Sequence, residues 1–288
     1  MTTAGNDAQS GTGTLAWSIA RAFERDRYLS ALLAPRRARD DLVALAAFAG
    51  EIARIPASVS EPMLGEIRLQ WWRDALGRAL GGEGSATGHP IADALAAALL
   101  RHGIGAESIA PLIDAVGERL DDLPFADLAG LRRHLAQWHG GLFEVAWQML
   151  GGTGAAPGVL RAGGEVYGLA RCLVEAPAEL AQGRILLPRD LAAGCGISLD
   201  AVRQADAAPR WRELNARLAA GAMLHANDVF GSYREADVRV RIAALPLALV
   251  RPSLRVSEHA DMASLAAHDI APLTRVWRLW RTSRTGRI

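Results

Sequence analysis

Apolar residues recur at helical spacing along almost the whole chain from Leu15 onward. In the second such segment, Leu45, Phe48 and Ile52 follow one another at steps of three and four, which predicts one buried face of an α-helix. Helices are predicted at 15–33, 36–55, 61–80, 89–101, 106–121, 127–150, 157–176, 208–230, 236–250 and 259–282. The pattern therefore predicts an all-α fold built as a helical bundle.

Three short segments depart from simple helical periodicity. Val238 to Ile242 alternates arginine with aliphatic residues, which is also typical of a strand, although isolated strands make little sense in a helical bundle. Gln182 to Pro188 is predicted as a short extended loop. Gly140 and Gly141 interrupt a helical pattern and indicate a kink, a close approach to a ligand or close packing of helices.

The domain organisation is predicted to be simple. Residues 1–14 are small and polar and are predicted to form a disordered tail. The remainder, 15–288, contains no internal repeat and no composition shift typical of a linker, so we expect one domain. Half of the 288 residues are apolar, which is enough for one substantial core.

Charge and cysteine content exclude several classes of protein. The formal net charge is +1, so nothing in the balance favours a nucleic-acid partner. Cys172 and Cys195 lack the spacing of a metal or redox motif, and two cysteines fit a reducing compartment. No basic-then-apolar signal segment and no spanning apolar stretch occur, so we predict a cytoplasmic protein, with contact at the inner membrane as an open alternative.

Two polar clusters lie in the first third of the chain. Glu51 and Arg54 fall on one face at the end of the second helix, where they form either a polar insertion into the core or a surface ion pair. The segment 65–74 places Trp71 and Trp72 among charged side chains. Paired tryptophans are commonly core anchors, and the alternative is a surface for a ligand or partner.

A third cluster combines two carboxylates with a loop. Glu175 and Glu179 are four residues apart and would share a helix face, an arrangement that suits Mg²⁺ bound together with substrate phosphates. Pro177 lies between them and is expected to distort that geometry. The alternative is a pair of solvated glutamates near a helix end.

The C-terminal segment is basic and aromatic. Arginines at steps of three are interleaved with tryptophans: Arg275, Trp277, Arg278, Trp280, Arg281, Arg284 and Arg287. Such a segment fits peripheral contact with an anionic membrane. Cations are equally favoured at the C-terminal end of a helix, so both interpretations stay open.

Three segments together resemble the squalene and phytoene synthases: residues 28–37, residues 44–48, and residues 183–191 with the sequence GRILLPRDL. The resemblance extends over about 15–285 and implies an isoprenoid-synthase-type helical bundle with a central cleft. Working members carry two Asp-x-x-x-Asp motifs, whose Mg²⁺ ions bind a prenyl diphosphate and stabilise the departing pyrophosphate.

The first acidic motif of that family is missing here. Counting on from Phe48, its two carboxylates fall on Ala53 and Ala57, and the arginine that usually follows the phenylalanine falls on Gly50. Methyl groups cannot ligate Mg²⁺, so one of the two metal clamps is predicted to be lost.

The second acidic motif survives in part. Its carboxylates fall on Glu175 and Glu179, while the glutamine and asparagine that usually precede it fall on Gly168 and Arg171. The resemblance implies a vestigial metal site at these glutamates. It also implies substrate-binding roles for Tyr28, Arg171 and Arg184. No residue is predicted to be catalytic and no cofactor is expected, with Mg²⁺ required only by an active prenyltransferase.

Within the family, one subgroup matches more closely. It comprises the synthase-related factor for assembly of mitochondrial respiratory complex I and its α-proteobacterial relatives, which also lack the first acidic pair. The matching residues are Val59, Ser60, Glu61, Gly65, Arg68, Gln70, Trp71 and Trp72.

The leading hypothesis is a catalytically degenerate homologue that supports complex I assembly, with complex I subunits or assembly proteins as partners. The alternatives are an active Mg²⁺-dependent prenyl diphosphate transferase and an isoprenoid-binding protein that holds a prenyl lipid or diphosphate in the cleft. The sequence favours a non-enzyme over the transferase.

Overall fold

The computed structural model describes residues 4–82, 86–121, 124–181, 188–196, 208–259 and 270–288. Within these ranges the chain forms helices and no strand, which confirms the predicted all-α class. The contacts divide the chain into two compact units: Met1–Asp121 with Gly141–Ala156 and Val238–Leu245, and Asp122–Gly140 with Pro157–Asp237 and Pro246–Ile288. No helix in the described part of the chain combines the length and apolar character needed to cross a membrane.

The helices of the first unit are α1 (Ala4–Phe23), α2 (Arg25–Leu33), α3 (Arg36–Ile52), α4 (Ile55–Ser58), α5 (Pro62–Leu80), α6 (Pro90–Arg101), α7 (Ala110–Gly117), α9 (Gly141–Met149) and α13 (Val238–Ala243). The helices of the second unit are α8 (Leu128–Leu135), α10 (Gly158–Ala181), α11 (Arg189–Gly194), α12 (Ala208–Glu235), α14 (Val250–His259) and α15 (Pro272–Thr285). A π-helical turn, Ala136–Gly140, follows α8.

The core of the first unit surrounds α3. This helix packs against α1, α2, α6 and α9, so every residue from Asp41 to Gly50 is buried. Phe48 is fully buried, and its ring makes an edge-on contact with Trp72 of α5 at 5.4 Å between centroids. Proline at the first turn of α5 and of α6 suits the start of each helix, where its missing N–H is not needed.

The core of the second unit surrounds α10. This helix packs against the π-helical turn, α8, α12 and α14. Tyr167 of α10 and Tyr233 of α12 are among the largest fully buried side chains. Asp127 caps α8, because its carboxylate accepts a hydrogen bond from the Gly130 N–H at 2.7 Å.

Most predicted helices are present, and the differences concern where they break. The predicted helix at 15–33 is divided at Glu24, whose backbone leaves the helical region and whose buried carboxylate accepts a hydrogen bond from Arg27. Burial of the Glu24 carboxylate is tolerated because the guanidinium of Arg27 pairs with it. The predicted helix at 127–150 is likewise divided by the π-helical turn that ends at Gly140.

The structure describes two of three other segments whose conformation the sequence predicted. Residues 4–14, predicted as part of a disordered tail, belong to α1 in the structure, which runs from Ala4 to Phe23. Val238–Ala243 is helical, so the alternating pattern of this segment does not mark a strand. The predicted extended loop lies outside the described residues except for Pro188.

Candidate functional site

The predicted metal pair lies on α10, the central helix of the second unit. The helix continues through Pro177, so Glu175 and Glu179 keep their spacing of four and share a face, contrary to the expected distortion. Both glutamates are half-buried. In the described part of the chain, no group of three His, Cys, Asp or Glu side chains is arranged to hold a metal ion.

The guanidinium of Arg171 forms an ion pair with one of these carboxylates, that of Glu175. Two nitrogens of Arg171 contact the same oxygen of Glu175, Nε at 2.9 Å and Nη2 at 2.7 Å. The guanidinium also lies 5.9 Å from the ring centroid of Tyr167. Such a charge-assisted contact is among the stronger hydrogen bonds in proteins. Arg171, predicted to bind substrate, is therefore joined to a predicted metal ligand by a direct ion pair.

Gly168, three residues before Arg171, has no room for a side chain. A Cβ built on Gly168 would lie 2.3 Å from Cδ2 of His139 and 2.8 Å from Cδ2 of Leu135. The His139 ring is buried and makes an edge-on contact with Tyr167 at 5.3 Å. The space that a larger side chain at this family position would need is thus filled by an imidazole and a leucine.

The segment that would carry the first acidic motif lies in the first unit. α3 ends at Ile52, Ala53 forms its C-cap and Ala57 belongs to the short α4. Neither alanine has a side-chain donor. Gly50 is buried against α1, where an added Cβ would come within 2.9 Å of the Cβ of Phe23.

Two further residues are predicted to bind substrate. Tyr28 lies on α2 in the first unit, half-buried, and its ring packs edge-on against Trp17 at 5.9 Å. Arg184 lies outside the described residues. The roles of Tyr28 and Arg184 stay predictions that rest on the family resemblance.

The other two polar clusters make contacts within the first unit. Glu51 and Arg54 form a half-exposed ion pair at 3.0 Å, and the Arg54 guanidinium stacks 3.7 Å from the centroid of Phe23. In the tryptophan segment, Trp72 is buried in the core while Trp71 is at the surface. Arg73 beside them donates to Asp114 of α7 at 2.8 Å, which ties α5 to its neighbour.

The second unit also contains a cavity of about 240 Å³ that the sequence did not predict. Leucines of α8, α10, α11 and α12 form much of its wall. At its polar end Arg132 donates to Glu165, and His225 Nε2 lies 3.6 Å from the same carboxylate oxygen. Glu165 precedes Glu175 and Glu179 by ten and fourteen positions on α10, and neither of these glutamates lines the cavity. No sequence spacing links these three side chains, because they come from separate helices.

Comparison with known proteins identifies the relatives of this chain. The family model for squalene/phytoene synthase matches residues 20–281. The chain is 25% identical over 257 residues to NADH dehydrogenase (ubiquinone) complex I, assembly factor 6, of Bos taurus, which covers 88% of this chain and 75% of that protein. The protein of the same name from Homo sapiens is 23% identical over 256 residues, covering 87% of this chain and 75% of that protein.

Solved structures share the fold. A squalene synthase, HpnC, from Alicyclobacillus acidocaldarius superposes with a TM-score of 0.69 at 19% identity, covering 90% of this chain and 93% of that one. A ligand-bound dehydrosqualene synthase superposes with a TM-score of 0.75 at 15% identity, covering 96% of both chains. The predicted isoprenoid-synthase-type helical fold is confirmed, and, since the family model spans nearly the whole sequence, this chain belongs to the squalene/phytoene synthase family.

Proposed function

We propose that this chain is a non-catalytic member of the squalene/phytoene synthase family that supports assembly of respiratory complex I. The observation that carries the proposal is the ion pair between Arg171 and Glu175, at the position where the family resemblance places the second metal motif. An arginine bound to this carboxylate competes with Mg²⁺ directly, since the guanidinium is always charged and repels a second cation.

The donors present do not fit the magnesium sites of a working synthase. Ala53 and Ala57 supply no oxygen from their side chains, and one of the two surviving carboxylates is neutralised by Arg171. Mg²⁺ requires hard oxygen ligands in near-octahedral geometry. We therefore assign no reaction step to a metal in this chain.

The family positions next to these motifs have also been replaced by close packing. Gly50 is closed by Phe23 in the first unit, and Gly168 is closed by His139 and Leu135 in the second. At these two positions the polar side chain expected from the family has given way to a glycine, and a neighbouring side chain packs against it. This packing supports the proposal that the region of the former site now stabilises the fold.

The assembly role rests on the relatives. The curated proteins matched over most of this chain are named as complex I assembly factors. The chain's own features are compatible with that role, because assembly support requires a stable binding surface and no turnover. The partners that we propose are complex I subunits or other assembly proteins.

The absence of catalysis can be tested with purified protein. Incubation with Mg²⁺ and either farnesyl or geranylgeranyl diphosphate should release no more pyrophosphate than buffer alone, because developing charge on the leaving group would meet no metal pair. Glu175→Gln protein purified in parallel controls for a contaminating enzyme. Steady pyrophosphate release that is lost in the Glu175→Gln variant would show that the chain is an enzyme.

The assembly role can be tested by deletion in the source organism. Membranes of the deletion strain should lose NADH:ubiquinone oxidoreductase activity severalfold, while succinate dehydrogenase activity, as an internal control, stays unchanged. The wild-type gene and a Glu175→Gln, Glu179→Gln double variant should both restore the activity, since metal ligation is not needed.

Two outcomes would count against the proposal. A deletion strain with normal complex I would overturn the assembly role. Restoration by the wild type but not by a stably folded double variant would instead point to chemistry at the glutamates.

A further inference from the structure

The C-terminal helix α15 exposes an apolar stripe to solvent. Leu273, Val276, Trp277 and Trp280 recur at helical spacing on one side, with exposed fractions of 85%, 45%, 50% and 48%. Two exposed tryptophans so close together are unusual, because their large rings are normally buried. A stripe of this kind needs an explanation beyond the fold.

The opposite side of α15 holds the helix in place. Leu279 is fully buried and Thr282 is nearly so. The Thr282 hydroxyl donates to the Arg287 carbonyl at 2.9 Å, and Gly286 ends the helix in the left-handed region at φ 65°. The helix is therefore anchored by one face while it presents the other.

The charged side chains of the C-terminal segment all have one sign. Residues 272–288 contain five arginines and no acidic residue. Arg281 and Arg284 are exposed and lie one turn after the two tryptophans, and the Arg281 guanidinium sits 5.2 Å from the centroid of the Trp277 ring. This is a local positive patch on a chain whose overall formal charge is only +1.

We propose that α15 is a membrane-docking helix, which lies in the plane of an anionic bilayer with its Leu273–Trp280 stripe among the lipid headgroups. Tryptophan and arginine fit this environment, since indole rings prefer the boundary between water and hydrocarbon and arginines attract anionic lipids. The phosphate-rich surface supplies the negative charge that the patch lacks. This inference stands independently of the proposed role in complex I assembly.

A vesicle sedimentation assay with the full chain tests the proposal. Vesicles of phosphatidylcholine with about 30 mol % phosphatidylglycerol should bind the protein at least about tenfold more strongly than pure phosphatidylcholine. The Trp277→Ser, Trp280→Ser variant should lower binding to anionic vesicles about tenfold or more. The Arg281→Gln, Arg284→Gln variant should lower it about 25-fold at low salt, and salt should weaken the wild type in the same way.

A second exposed apolar pair supplies the matched control. Met63 and Ile67 on α5 are exposed by 71% and 61%, but acidic Glu61 and Glu66 lie beside them in the sequence. The Met63→Ser, Ile67→Ser variant should bind vesicles within about twofold of the wild type, because exposed apolar residues beside acidic side chains and away from a basic patch gain little at an anionic surface.

The proposal is overturned if the wild type stays in the supernatant with anionic vesicles. It is also overturned if the tryptophan variant binds like the wild type, or if the α5 control loses as much binding. All four substituted α15 positions are at least partly exposed, so the variants should keep the wild-type circular dichroism. If the tryptophan variant unfolds, the arginine variant and the salt dependence decide the question alone.

Discussion

Replacing Gly164 with alanine is expected to lower the apparent melting temperature by about 10 °C, corresponding to a loss of about 3 kcal/mol. The reason is a direct approach of two backbones in the second unit. A Cβ on Gly164 would lie 2.0 Å from the Gly140 nitrogen, 2.3 Å from the Gly140 Cα and 2.6 Å from the His139 carbonyl carbon. Backbone atoms cannot turn aside as a side chain can, so α10 and the π-helical turn must separate.

A matched glycine in the same unit gives the control. Gly231 lies inside α12, where an added Cβ meets nothing within 4 Å. Gly231→Ala should therefore leave the melting temperature unchanged or raise it. The gain in helix propensity is up to about 1 kcal/mol of unfolding free energy. Thermal unfolding followed by circular dichroism compares the two variants. A Gly164→Ala protein as stable as Gly231→Ala would contradict the close contact between α10 and the turn.

The contact at Gly164 also shows what the sequence predicts about this fold and what it does not. Periodicity located the helices because burial of one face repeats every three to four residues. It did not locate the break at Glu24 or the π-helical turn, because the apolar pattern continues through both. For Gly140, the sequence left a kink, a ligand contact and helix packing open. The structure shows a π-helical turn in which Gly140 packs against the backbone of Arg161.

For the candidate site, the sequence predicted the local relationships and missed the distant ones. Glu175 and Glu179 share a helix face as their spacing predicts, although the expected distortion at Pro177 is absent. The pairing of Arg171 with Glu175 was not predicted, but it is an i, i+4 contact that a helix allows. By contrast, the filling of the space beside Gly168 comes from His139, which is 29 positions earlier (168 − 139). Contacts of this kind depend on the packing of separate helices, and a single sequence carries no signal for them.

Introducing an arginine at Gly50, where the family resemblance places one, is expected to destabilise the first unit by at least about 4 kcal/mol. Gly50 is buried between α3 and α1, and even a Cβ there would come within 2.9 Å of the Phe23 Cβ and 3.7 Å of the Glu24 Cγ. The contact involves the first atom of the Phe23 side chain, so rotation about its bonds gives no relief. The further atoms of an arginine side chain would extend this overlap beyond the Cβ.

Two controls separate the effect of volume from the effect of position. Gly50→Ala adds only the Cβ and should cost about 1–2 kcal/mol, since α1 needs to move by a few tenths of an ångström. Gly77→Arg places the same side chain on the exposed face of α5, with nothing within 4 Å of an added Cβ, and should be neutral or slightly stabilising. Urea unfolding followed by circular dichroism measures all three variants.

The Gly50 variants also bear on whether the enzyme pattern can be restored. Phe23 and the arginine expected from the family compete for one volume, so the arginine cannot be regained by one substitution while α1 stays packed against α3. The stacking of Arg54 on Phe23 adds to the same contact, because it holds the ring in place at 3.7 Å. A stable, folded Gly50→Arg protein would mean that α1 leaves this surface readily, and the first unit would then still have room for a synthase-like site.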